Sequence, residues 1–130
     1  MSALTDAEFL AAFEDGTLEP FHHRDHLRMT WLYLRAHGQE EAERRVAEGI
    51  QRFAAAHGKA QMYHVTITRA WLRLMEAALG HTPAGTFDEF AAAHPDLLDK
   101  DRIYRHYRKE TIGSARARAA WVEPDLEPLP

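Results

Sequence analysis

Three histidines, His23, His26 and His64, are the residues in this chain best suited to do chemistry. His23 and His26 are neighbours at i, i+3, which puts both rings on one face of a helix. His64 falls at the centre of a second apolar stripe. An imidazole facing a core needs a partner, and three that converge suit a divalent metal. Helix N-termini and burial both disfavour the imidazolium, so the rings would be neutral at pH 7, the form that binds metal. Three protein donors with one position left open is the plan of a catalytic metal site.

A wheel turned by about 100° per residue supports this placement. On the second helix Arg24, Arg28 and Arg35 mark the wet side, and His23, His26, Thr30, Leu34 and His37 lie opposite. His22 shares a side with His26 at i, i+4 and is a spare ligand. On the fourth helix Arg69, Arg73 and Glu76 are outward, and His64, Trp71 and Ala78 are inward. Thr30 and Thr68 face the same region, where each could bond a ligand or its own i−4 carbonyl. Tyr63 could orient a ligand or donate a proton, and Glu14, Asp15, Glu19 or Asp25 could supply a carboxylate to the metal. His57 ends the third helix and is the second spare ligand; His37 belongs to the far end of its helix. Nitrogen donors without sulfur suit zinc or iron.

Helix signals position these residues. Thr5 with Glu8 forms a capping-box pattern, and Gly16 stops a helix over 5–15. A second helix spans 22–37 before Gly38, a third 39–57 before Gly58, and a fourth 62–79 before Gly80. The inward set Ala42, Val46, Ile50 and Phe53 has helical period. The loop 80–86 contains Pro83, and a short helix 86–94 ends at Pro95. A further short helix carries Ile103, Tyr104 and Tyr107, and Ser114 caps a last one over 115–121. The tail EPDLEPLP is irregular and lies along the surface. The expectation is an all-α single domain over 1–130, an antiparallel bundle of about four main helices with short C-terminal helices. Short connections make helices 2 and 4 run the same way, which would bring the three histidines to one end.

In plan this resembles the small four-helix-bundle proteins with a three-histidine metal site, such as DinB-like proteins. Their HxxxH pair stands on the last bundle helix, whereas this chain has HxxH on the second. The resemblance implies a metal at one end of the bundle serving small-molecule transfer.

Composition narrows the function classes. The 130 residues carry a formal net charge of −4, so no basic excess suggests a nucleic-acid surface. Cysteine is absent, which excludes thiolate chemistry and disulfides. No run approaches the roughly 18 apolar residues of a membrane span, and a cytoplasmic protein is expected. Arg105, Arg108, Lys109, Arg116 and Arg118 form a basic patch that reads as a solvated face. The function expected is a small bacterial-type metalloenzyme, with zinc or iron as cofactor and a small-molecule substrate. Its oligomeric state is open, a homodimer included. The alternatives are a metal-free domain that binds a small ligand, and an accessory interaction module with structural core histidines.

Overall fold

Thr5 starts the first helix by the route its side chain offers. Its hydroxyl accepts from the Glu8 N–H at 3.1 Å, and the Glu8 carboxylate accepts from the Thr5 N–H at 2.9 Å. The computed structural model describes residues 4–81 and 85–130, and these contain helices and no strand. The all-α expectation holds. The chain divides into two compact units, Met1–Tyr63 and His64–Pro130.

The first unit holds α1 (Asp6–Asp15), α2 (His23–His37) and α3 (Gln39–Ala56), then a 3-10 turn at Ala60–Met62. Gly16 (φ 81°) ends α1 in the left-handed region, where glycine has no Cβ penalty. Gly38 (φ 79°) is the one residue between α2 and α3, and its N–H still bonds Leu34 O. So short a joint folds α3 back against α2, while α1 also rests on α3. Phe9, Phe13, Leu27, Leu34, Ala42 and Val46 are buried, matching the inward stripes. Phe13 packs on Phe53 and on Phe21, both at 5.5 Å between ring centroids. Gly49 makes that possible: a Cβ there would lie 2.7 Å from Phe13 Cε2.

The second unit holds α4 (Val65–His81), α5 (Phe87–Ala93), α6 (Lys109–Ile112) and α7 (Ala115–Ala119). Two 3-10 segments, Pro95–Leu98 and Lys100–Arg105, connect α5 to α6. The helix expected from 62 begins instead at Val65, and it continues through Gly80 to His81. Residues 82–84 of the expected loop 80–86, Pro83 included, lie outside the described residues. Thr86 and Glu89 form a second capping box at the start of α5. Ser114 caps α7 through the Ala117 N–H at 3.1 Å.

Side chains of the second unit fasten the irregular stretch that follows α7. The Thr66 hydroxyl donates to Ala120 O at 2.8 Å and accepts from the Val122 N–H at 3.1 Å. The buried Tyr107 hydroxyl donates to Val122 O at 2.7 Å. The Asp125 carboxylate accepts from the Arg108 N–H and from the Thr111 hydroxyl. Buried His106 takes a hydrogen from Arg102 Nη1 (2.7 Å) on Nε2 and gives one to Glu127 O (2.9 Å) from Nδ1. Those partners fix its tautomer.

Candidate functional site

His64 is the N-cap of α4, one residue before the helix rather than inside its first turn. Its Nδ1 accepts the Ile67 N–H at 3.1 Å, and its carbonyl accepts the Thr68 N–H. The remaining ring nitrogen, Nε2–H, donates to Ile112 O at 2.7 Å. Both nitrogens of this buried ring are therefore bonded to backbone. Burial is the main cause that lowers its pKa, and Arg118 adds to it against the opposing bond to Ile112. The ring acts as a neutral strut between α4 and α6. Ligating a metal would cost α4 its cap or Ile112 its partner.

His23 and His26 do lie together on α2, with ring centroids 6.5 Å apart. Burial pulls the His26 imidazole down to about 4, helped by His23. Phe21 packs edge-on against His26 at 6.3 Å. His22 is exposed at the start of α2, and the Asp25 carboxylate accepts from its N–H at 2.9 Å. Among the described residues no group of three or more His, Asp or Glu side chains is gathered as a metal ion would require. The inward threonines bond their own helices: Thr30 donates to His26 O at 2.9 Å and Thr68 to His64 O at 2.8 Å.

Glu14 is exposed and accepts the Tyr33 hydroxyl at 2.6 Å. Burial and that carboxylate together hold the Tyr33 phenol protonated far above its usual range. Glu14 thus ties α1 to α2.

Two of the expected residues, Tyr63 and His57, meet in a cavity of the first unit. It measures about 360 Å³ and is lined by Glu19, Phe21, Ile50, Phe53, Ala54, His57, Lys59, Met62 and Tyr63. The loop before α2 supplies Glu19 and Phe21; the rest comes from the second half of α3 and the chain that follows it. Phe21 and Phe53 lie 4.8 Å apart at a tilt of 47°, and His57 lies 4.4 Å from Phe53. His57 Nε2–H donates to Gly16 O at 2.9 Å. That bond orients the ring and leaves Nδ1 as the lone-pair nitrogen of the neutral form. Met62, 62% exposed, is an apolar lip.

Sequence reasoning weighed Glu19 only as a metal carboxylate, and it did not single out Phe21, Lys59 or Met62. The Phe-x-x-x-His spacing of Phe53 and His57 at i, i+4 was the one signal for the aromatic wall. A second cavity, about 210 Å³, lies in the other unit among Leu74, Ala78, His94, Asp96, Leu97 and Arg102.

Comparison with family models, with curated proteins and with solved structures returns no match. The likeness in plan to DinB-like proteins therefore rests on helical architecture and histidine content alone, and the histidine spacing departs from theirs. No helix among the described residues is long and apolar enough to cross a membrane.

Proposed function

We propose that the first unit binds a small organic molecule in the cavity between the Glu19–Phe21 loop and the end of α3. The observation that carries this reading is the cavity itself, about 360 Å³ with an aromatic wall and a few polar groups. Ligand sites have this character: roughly 300–1,000 Å³, mostly apolar, with a small number of polar side chains to fix orientation. His57, oriented by Gly16 O, and Tyr63 give the cavity a base and a hydroxyl donor. Any reaction run by this pair needs no metal and survives chelation.

The test is a set of aromatic fragments observed by NMR on the full chain. Binding should shift resonances of Phe21, Phe53, His57 and Tyr63, and Ile50→Trp, which fills the cavity, should abolish it. Absence of any binding tighter than about 1 mM, or shifts that survive Ile50→Trp, would overturn the reading.

A metal-dependent reading has one observation in its favour. His23 and His26 are adjacent on α2, and burial keeps His26 unprotonated. Zinc or iron would take these two nitrogens, and among the described residues no third donor stands beside them, so His22 or His57 would have to move in to complete the set. Near-stoichiometric metal in protein grown with added zinc and iron, lost in His26→Ala, supports it. Metal content that is negligible, or unchanged by His26→Ala, overturns it.

A further inference from the structure

The cavity that carries the proposed function also holds information about what it selects. Two side chains of opposite charge line it, Glu19 and Lys59. They come from different segments, the loop before α2 and the chain after α3. Among the described residues neither forms an ion pair, although α3 alone pairs Arg44 with Glu41 and Glu48, and Arg45 with Glu41. The remaining lining is apolar or aromatic apart from His57 and Tyr63.

Consider what each ligand charge would meet there. A simple anion gains Lys59 and meets Glu19; a simple cation gains Glu19 and meets Lys59. An uncharged ring uses the aromatic wall and leaves both charges to water. A molecule carrying both signs can satisfy both side chains while its ring packs on Phe21, Phe53 and His57. The size sets the rest. About 360 Å³ lies near the low end of the range for ligand sites, room for one ring system and a short polar head.

We propose that this cavity takes an aromatic α-amino acid in its zwitterionic form. Lys59 receives the carboxylate, Glu19 receives the ammonium group, and the aromatic wall receives the side chain. This assignment rests on the reading of the cavity as a ligand site.

The experiment titrates the full chain with four probes that share one ring: L-tryptophan, tryptamine without the carboxylate, 3-indolepropionate without the ammonium group, and indole. L-Tryptophan should bind about two- to fivefold more tightly than tryptamine or 3-indolepropionate, and more tightly still than indole, because it alone gains an ion pair with each of the two exposed side chains. Lys59→Met should erase the advantage over tryptamine, and Glu19→Gln the advantage over 3-indolepropionate. Both residues are exposed, and circular dichroism checks that the variants fold. If indole binds as tightly as L-tryptophan, or if neither substitution alters the ranking, the amino-acid assignment is wrong while the cavity remains a ligand site. If none of the four probes binds and the fragment set also fails, both readings fall.

Discussion

Replacing His64 by alanine tests whether this ring is a strut or a ligand. In the structure the substitution removes two hydrogen bonds at once. The first is the cap, Nδ1 accepting from the Ile67 N–H at 3.1 Å. Losing a side-chain cap costs about 0.5–2 kcal/mol. The second is Nε2–H to Ile112 O at 2.7 Å, between buried residues. A buried acceptor left without its donor costs about 1–3 kcal/mol. The two losses share one ring and are not strictly additive, so the expected destabilisation is about 2–4 kcal/mol. Urea unfolding should show a lower midpoint at an unchanged slope. His64→Asn should recover only the cap, since asparagine is among the best N-cap residues but is too short to span to Ile112. Wild type and both variants should respond identically to added zinc and to a chelator. A loss below about 0.5 kcal/mol in His64→Ala would refute the strut. So would zinc-dependent stabilisation present in wild type and absent from the variant, since that is the signature of a ligand bound only by the native state.

Three further outcomes follow from the geometry. His26 falls from 6.5 to about 4 in the folded chain, so its contribution is complete above the unfolded value and is lost as pH drops from about 6.5 toward 4. That is up to about 3 kcal/mol, with His64 adding in the same direction; urea midpoints across this window should fall, less steeply in His26→Gln, and a flat profile would contradict the burial of the ring. Gly49→Ala should destabilise by roughly 1–2 kcal/mol despite its better helix propensity, because the new Cβ sits 2.7 Å from Phe13 Cε2. A Gly49→Ala protein more stable than wild type in urea would show that Phe13 moves aside freely. Thr66→Val keeps the shape but strands Ala120 O and the Val122 N–H, costing about 1–3 kcal/mol. Hydrogen exchange should show Val122 opening faster, and unchanged protection there would refute the tether.

Local signals in the sequence located most of the helix ends. Thr5 with Glu8, Gly16 and Gly38 each work through neighbours a few residues away, so no tertiary knowledge was needed. The start of α4 was not legible in the same way. Tyr63 and His64 continue the helical wheel smoothly, and periodicity alone cannot say which residue is the first in helical geometry. Histidine is also not among the common capping residues, so His64 reads as a member of the stripe when it is the residue that starts it. Thr30 and Thr68 were correctly read as inward, but only coordinates decide between a distant partner and the carbonyl four residues back. The cavity was hidden for a different reason. It lies between a loop on one side and the end of α3 with the chain that follows it on the other, and no periodic pattern joins Glu19 to Lys59.

The pairings of residues 120–127 also bear on how the chain is made. Thr66, His106 and Tyr107 all hold backbone atoms of that stretch, which is synthesised after them. At about 5–20 residues per second, several seconds separate the emergence of Thr66 from that of Glu127. Until residues 120–122 have followed, the Thr66 hydroxyl lacks both of its backbone partners. A stop codon placed before Ala120 would remove both of those partners permanently and leave the Thr66 hydroxyl unsatisfied.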